Sequence, residues 1–208
     1  MSDKKAQTRE RILQAASAAL IQRGPAEPSV GEVMGAAGLT VGGFYAHFES
    51  KDALMLEAFT QLLAKRRASI DDMDSTLTGE ERRALVAAFY LSRKHRDSTA
   101  QACPIPATVG EMSRLPDEFR QALNEHCELM AAQLAASPED TDKALADMAL
   151  MIGGLALARA LGPGELSKHS LRAANGTISS ANKPSAWAAA VRCWLCRAYW
   201  SCTSRLML

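Results

Sequence analysis

Apolar residues recur three and four positions apart along most of the chain, and Gly, Pro, Ser and Asp fall between these periodic stretches. This spacing places the apolar side chains on one face of a helix. A first helix is predicted from about Thr8, and it ends at Gly24, which can form a left-handed cap, and Pro25, which cannot continue a helix. No stretch predicts a strand, so we expect an all-α fold.

Two short helices joined by a glycine turn are predicted next. Ser29 and Glu32 have the spacing of a capping box, in which each side chain accepts a hydrogen bond from the other residue's backbone amide. Gly38 can adopt the positive φ of a sharp reversal, and Thr40 can then cap a third helix that ends at Phe48. Together these elements form a helix-turn-helix.

The rest of the chain also predicts helices. Ser50 is a candidate cap for a fourth helix, and a polar stretch near residue 70 separates the N-terminal module from a larger region. The landmarks of that region are a capping box at Thr78 and Glu81, a helix end at Arg93, a proline break at 103–106, helix starts at Pro116 and Ser137, and a stop at 162–164. The polar stretch 175–180 predicts little helix.

The last residues, 176–208, differ in composition from the rest. All three tryptophans and three of the five cysteines lie near the C-terminus. The apolar residues there fall at helical spacing, which is typical of a terminal amphipathic helix. The alternative is an undocked segment that was never selected for packing.

Composition and charge exclude several classes of protein. With 208 residues, 48% of them apolar and 23% charged, the chain suits a globular protein with its own core. No apolar run is long enough to span a membrane and the polar start is unlike a signal peptide, so we expect a cytoplasmic protein with no membrane partner. The net charge of +1 neither suggests nor excludes a nucleic-acid partner.

The string at residues 38–54, GLTVGGFYAHFESKDAL, carries the most specific information about function. Together with the capped helix from Ser29, it resembles the DNA-binding signature of TetR-type transcriptional regulators. The resemblance implies a three-helix DNA-binding domain over 1–68, with its helix-turn-helix at about 29–48, and a helical ligand-binding and dimerisation domain over 69–175. It further implies a homodimer that binds a near-palindromic DNA operator and leaves it, as a repressor, when a small molecule of unknown identity binds.

The start of the third helix suits the major groove, where the N-terminal residues of a helix reach the base edges. Val41 can contact a thymine methyl group, and the two glycines after it let the backbone approach the groove; close packing within the chain is the alternative role for them. Phe44 and Phe48 are assigned to the core, whereas the resemblance assigns phosphate contacts to their neighbours. The candidate DNA-binding residues are Ser29, Thr40, Val41, Gly42, Gly43, Tyr45, His47 and Lys51.

The resemblance also implies an apolar effector cavity with a few polar groups, among them Glu111. Its candidate lining residues are Phe89, Tyr90, Ile105, Met112, Phe119, Leu123, His126, Met130 and Met151. Plain core packing is the alternative for each. Small residues in the helices at about 119–136 and 140–161 predict the dimer surface, again with intrachain core as the alternative.

Other functions remain as alternatives. A redox-responsive regulator would sense through Cys103 or Cys127 in place of a ligand. A small-molecule-binding helical protein or an enzyme is the alternative of another class. The nearest catalytic set, residues 126–128, is adjacent on a helix, where side chains splay too far apart to form one site, so we expect no enzyme. No metal site and no cofactor are predicted.

Overall fold

The computed structural model describes residues 2–98 and 102–180. Within these two ranges the chain is helical and contains no strand, which confirms the predicted all-α fold. The α-helices are α1 (Ser2–Arg23), α2 (Val30–Ala36), α3 (Lys51–Asp71), α4 (Gly79–Tyr90), α5 (Arg93–Asp97), α6 (Ile105–Thr108), α7 (Asp117–Leu134), α8 (Thr141–Ala160) and α9 (Glu165–Ser180). Short 3₁₀-helices occupy Val41–Ala46, Met112–Arg114 and Pro138–Asp140. The two alternatives for the C-terminal tail were a terminal helix and an undocked segment. Residues 181–208 of this tail lie outside the described ranges.

The chain forms two compact units, each built from two separate segments. The first unit, called here the N-terminal unit, comprises the residues up to Arg67 and the segment Asp97–Leu129. The second, the C-terminal unit, comprises Ala68–Arg96 and, within the described ranges, residues 130–180. The N-terminal unit therefore contains a segment that lies, in sequence, far beyond the helix-turn-helix. Among the helices of the described ranges, none combines the length and the apolar character needed to cross a membrane.

The predicted caps at Ser29, Ser50 and Thr78 and the predicted glycine turns are confirmed, whereas Thr40 and Ser137 form no capping hydrogen bond. Ser29 and Thr78 each form a complete capping box with the glutamate three residues later. Ser50 accepts a hydrogen bond from the amide of Ala53 at 3.0 Å and so caps α3. The three glycines expected to end helices have positive φ, at 79° for Gly24 and 68° for Gly38 and Gly162.

Two predictions about helix boundaries are wrong, one for the start of α1 and one for the proline-containing segment 103–106. Helix α1 begins at Ser2 rather than near Thr8, whose hydroxyl donates to the carbonyl of Lys4 at 2.8 Å inside the helix instead of capping it. The segment 103–106 is not a simple break, since Pro104 precedes a short helix and Pro106 occupies its first turn. Proline is tolerated in a first turn because the amide there has no helical partner.

Three further boundaries also differ from the predictions. Helix α4 ends at Tyr90, before Arg93. Ser137 caps nothing with its side chain, because a 3₁₀ turn separates it from α8. The polar stretch 175–180 is helical and completes α9, where Ile178 is buried and Thr177 donates to the carbonyl of Ala173 at 3.1 Å. Buried apolar residues at helical spacing override the weak propensity of such a stretch.

A buried ion pair lies among helices α4, α8 and α9 of the C-terminal unit, which pack against one another. Arg83 on α4 is fully buried, and its Nε lies 3.6 Å from Oδ2 of Asp147 on α8. The guanidinium also donates to the carbonyl of Leu134 at 2.9 Å, and Lys143 approaches the same carboxylate at 3.5 Å. An arginine does not lose its charge in a protein, so the buried Arg83 guanidinium depends on Asp147 for its counter-charge.

Asp147→Asn should destabilise the C-terminal unit by about 3 kcal/mol, because it leaves the buried guanidinium without a counter-charge. Urea unfolding measures this loss. Asp142→Asn removes an exposed carboxylate from the first turn of the same helix and should cost less than about 1 kcal/mol. Equal losses in the two variants would contradict a dependence of Arg83 on Asp147.

Candidate nucleic-acid interface

The helix predicted to enter the groove is a 3₁₀-helix, Val41–Ala46, rather than an α-helix from Thr40 to Phe48. Thr40 occupies its N-cap, but its side chain forms no capping hydrogen bond. Two glycines and a β-branched valine weaken α-helical propensity, and a run this short gains few backbone hydrogen bonds. We call Val41–Ala46 the recognition helix below.

Two phenylalanines anchor the recognition helix to the N-terminal unit. Phe44 and Phe48 are buried, as predicted, and their rings stack with centroids 5.9 Å apart. The guanidinium of Arg9 lies 4.6 Å from the ring centroid of Phe48 and donates to the carboxylate of Glu57, with 2.6 Å between Nη1 and Oε1. Arg9, on α1, thus joins the core of the module to α3.

The opposite side of the recognition helix is exposed. Val41 is 51% exposed and Tyr45 is 75% exposed, which is unusual for such large apolar or aromatic side chains. Thr40 and both glycines are also exposed. A Cβ atom at Gly42 would meet nothing within 4 Å, and one at Gly43 would meet only Cε of Met34 at 3.9 Å. Packing within the chain therefore does not require glycine at either position.

The remaining candidate contacts flank this exposed face in sequence. Ser29 accepts a hydrogen bond from the amide of Glu32 at 3.2 Å, while its own amide donates to the Glu32 carboxylate at 2.8 Å. Those bonds and the nearby Arg23 lower the pKa of Glu32 to about 2. His47 is half-buried, and its Nδ1 is buried without a hydrogen bond to the described residues, so any outside contact must use the Nε2 edge. Lys51 donates to the carbonyl of Ala26 at 2.7 Å.

Another basic residue near the helix-turn-helix also has a structural role that its sequence position did not reveal. Arg11 on α1 donates to the carbonyl of Ala37 at 2.5 Å and so satisfies the C-terminal end of α2. A cavity of about 620 Å³ opens beside it, lined by one face of α1 and by Glu32, Val33 and other residues of α2. Pairings of this kind, between residues 26 positions apart, have no local pattern in the sequence.

The predicted effector-cavity residues are divided between the two units. All but Met112 and Leu123 are buried. Those of the N-terminal unit are Ile105, Met112, Phe119, Leu123 and His126, and those of the C-terminal unit are Phe89, Tyr90, Met130 and Met151. Several pack on aromatic rings of their own unit: Phe119 lies 5.6 Å from Phe59 between ring centroids, and Tyr90 lies 4.7 Å from His95.

His126 is a buried, neutral histidine within the N-terminal unit. Its Nδ1 lies 3.1 Å from Nη1 of Arg67, and since a guanidinium can only donate, Nδ1 is the acceptor and carries no proton. Burial lowers the pKa of His126 to about 4, with a further contribution from the positive charges of Arg67 and Arg66. The pair joins α3 to α7.

The two cysteines of the redox alternative differ in how far they are shielded from solvent. Cys103 is buried and Cys127 is half-buried. Burial raises the pKa of Cys127, and Cys103 and Glu128 raise it further. Because the thiolate is the reactive form, a raised pKa reduces reactivity toward oxidants.

Comparisons with known proteins agree with this geometry. Residues 12–58 match the model of the family described as "Bacterial regulatory proteins, tetR family". The HTH-type transcriptional regulator YerO of Bacillus subtilis (strain 168) is 24% identical over 161 residues, which cover 74% of this chain and 54% of YerO. The chain thus spans about half the length of that relative.

Solved structures of regulators have the same fold. A TetR-family transcriptional regulator from Agrobacterium tumefaciens is 18% identical, with a TM-score of 0.73 over 86% of this chain and 100% of that one. A TetR transcriptional regulator from Chloroflexus aurantiacus J-10-FL is 26% identical, with a TM-score of 0.69 over 86% of this chain and 95% of that one.

A helix-turn-helix whose recognition helix is exposed on one side and anchored on the other, in an all-α chain, is the architecture of a DNA-binding transcriptional regulator. More narrowly, residues 12–58 are similar to the bacterial regulatory proteins of the tetR family, and the chain shares the fold of TetR-type regulators.

His126→Gln should reduce the loss of stability that the protein suffers between pH 7 and pH 5. The unfolded histidine takes up a proton near pH 6.5 but the folded one only near pH 4, so its contribution is complete above the higher pKa and is lost as pH falls toward the lower one. The difference should reach about 2 kcal/mol at pH 5. Gln still offers Arg67 an acceptor but does not titrate. Urea unfolding at both pH values tests this, with exposed His169→Gln as control; the same pH dependence in all three proteins would contradict it.

Proposed function

We propose that the protein is a ligand-responsive repressor that binds a near-palindromic DNA operator as a homodimer and leaves it when a small molecule binds. The observation that carries this proposal is the recognition helix, which is fixed by buried phenylalanines and exposes Val41 and Tyr45 on its other side. Side chains of this size are normally buried, and their exposure together marks a binding surface.

The exposed tip of the recognition helix supports direct contact with the major groove. Val41 can pack on a thymine methyl group, and the unbonded hydroxyl of Thr40 can reach a base edge or a phosphate. Glycine at positions 42 and 43 lowers helix stability but is not needed for internal packing. The two glycines gain a function if they allow the DNA surface to approach the backbone of the recognition helix closely.

The flanking polar groups support contacts with the sugar-phosphate backbone. The Tyr45 hydroxyl, the Nε2 edge of His47 and the Lys51 ammonium group each offer a donor. Ser29 already accepts from the amide of Glu32 and hydrogen-bonds its carboxylate, so a phosphate there would have to replace that carboxylate as the acceptor of the Ser29 hydroxyl. Such contacts set the register and orientation of the protein on DNA and add affinity for any sequence.

An exposed apolar stripe along α8 supports dimerisation. Leu145, Ala149, Gly153, Leu157 and Leu161 recur every fourth residue and are all exposed. A row with this spacing is the ridge that packs into a groove of a second helix. A Cβ atom at Gly153 would meet nothing within 4 Å, so the middle of the stripe leaves room for a close neighbour. We assign the dimer contact to this stripe and a second copy of the chain.

The inner side of α8, which belongs to the dimer surface predicted over 119–136 and 140–161, has less support. Met148, Met151, Leu155 and Ala158 are buried within the C-terminal unit. Gly154 faces Leu91 and Ala174, which would lie 3.0 and 3.1 Å from an added Cβ atom. These residues serve the intrachain core, the alternative that the sequence left open.

Relief of repression requires a ligand that binds the DNA-free arrangement of the dimer more tightly than the DNA-bound one. Buried candidates for its site occur in both units. A redox signal through Cys103 or Cys127 is the less favoured trigger, because the raised pKa of Cys127 keeps its thiol protonated.

Fluorescence anisotropy with labelled duplexes from the DNA that flanks the protein's own gene tests the proposed function. Specific binding should survive excess unrelated duplex and weaken steeply as salt rises. Candidate small molecules are then added to the complex, and one of them should release the DNA. Failure to bind any flanking fragment more tightly than unrelated DNA would contradict the proposal.

Gly42→Ala should weaken operator binding about tenfold, because the methyl group projects from the exposed tip into the space reserved for DNA. The same change should leave the fold intact or raise its stability by up to about 1 kcal/mol, since alanine is the better helix former. Gly176→Ala, at a solvent-facing glycine of α9, is the matched control and should leave affinity unchanged. Anisotropy titration and thermal melting give the two readouts. Unaltered affinity in Gly42→Ala would remove these glycines from the interface.

Leu157→Glu should convert the dimer into a monomer at micromolar concentrations, because it places a charge in the apolar stripe of α8. Sedimentation velocity measures the change. Leu129→Glu is the control, since Leu129 is a similarly exposed leucine on α7 outside the stripe, at 43% exposure against 52% for Leu157. Dissociation by Leu129→Glu alone would place the interface on α7 instead.

A further inference from the structure

The turn between α1 and α2 packs against a distant segment of the N-terminal unit. At Gly24, where φ is 79°, an added Cβ atom would lie 2.8 Å from the carbonyl oxygen of Ala107 and 2.7 Å from Oε2 of Glu111. Helix α6 and the residues after it therefore lie directly on this turn. The contact requires glycine twice over, for its positive φ and for the absent side chain.

One residue of that turn is held from both sides. The amide of Ala26 donates to Oε2 of Glu111 at 3.1 Å, and the carbonyl of Ala26 accepts from Nζ of Lys51 at 2.7 Å. Both bonds involve a charged group, and such bonds are shorter and stronger than neutral ones. Ala26 itself is exposed, and among the described residues its backbone makes no hydrogen bond to another backbone group.

The arrangement bears on DNA binding because Lys51 is a candidate phosphate contact. A lysine side chain has a flexible four-carbon stem, so its ammonium group needs a fixed partner to be ordered before DNA arrives. The carbonyl of Ala26 is that partner, and the position of this carbonyl depends on the turn that Glu111 holds. Two of the three ammonium hydrogens remain for phosphate oxygens.

We propose that Glu111 is a positioning residue for DNA binding: its carboxylate fixes Ala26, and Ala26 orders the Lys51 ammonium group toward the phosphate backbone. The proposal rests on the proposed function. It gives a DNA-binding role to a residue outside the predicted domain 1–68, one that the sequence suggested only as a polar group of an effector cavity. Glu111 acts through Lys51 and makes no DNA contact of its own.

A comparison of two neutral variants in the full-length chain tests the proposal. Glu111→Ala and Glu111→Gln remove the same negative charge, so long-range electrostatics change equally, but only the glutamine still offers an oxygen to the Ala26 amide. Glu111→Ala should bind the operator about five- to tenfold more weakly than Glu111→Gln, an effect of the size expected for one neutral hydrogen bond. In Glu111→Ala the slope of log affinity against log salt concentration should also be shallower, by up to about one released ion.

The same two substitutions in a Lys51→Ala background test whether Glu111 acts through Lys51. There the difference between Ala and Gln at position 111 should shrink to less than about twofold, because the group that Glu111 positions is gone. Exposed Glu118→Ala serves as a control for loss of a carboxylate from the same segment, and circular dichroism verifies the fold of every variant. An equal difference in both backgrounds, or none in either, would overturn the proposal. A wild-type chain that binds no operator would instead refute the proposed function itself.

Discussion

The burial of Phe44 is the interaction on which the functional surface depends. The recognition helix has six residues, two of them glycine, and a helix of this length and composition is not stable in water. Its position is therefore set by packing rather than by its own backbone bonds. Phe44 and Phe48 enter the core, and Arg9 and Glu57 link that core to α1 and α3. The residues between the phenylalanines face outward as a consequence.

Features that depend on local chemistry could be predicted from the sequence. A capping box requires only two residues at fixed spacing, and a left-handed helix end requires one glycine, so Ser29, Thr78, Gly24 and Gly38 all indicated correct boundaries. The burial of Phe44 and Phe48 followed from helical spacing in the same way. The change from α to 3₁₀ geometry at Val41–Ala46 did not follow, because it depends on how the two ends of the segment are held.

Contacts between distant residues gave no pattern to detect. Arg9 and Glu57 are 48 positions apart, and Ala26 and Glu111 are 85 apart. The role of the small residues was ambiguous for a related reason. Two helices that approach closely need small residues at their contact, whether the helices belong to one chain or to two. Gly153 and Gly154 are neighbours in sequence, yet one faces open space and the other faces Leu91 and Ala174. These two roles are separated only by the direction that each glycine faces, and that direction is a property of the tertiary structure.

A buried histidine in the N-terminal unit and a buried arginine in the C-terminal unit are accommodated by different means, and the difference follows from proton affinity. A charged group taken out of water must either lose its charge or find a counter-charge. His126 can lose its proton, and it is held neutral with a guanidinium as hydrogen-bond donor. Arg83 cannot, and it is buried together with Asp147. Acid therefore acts on the folded N-terminal unit at His126, where the buried ring regains its proton only near pH 4.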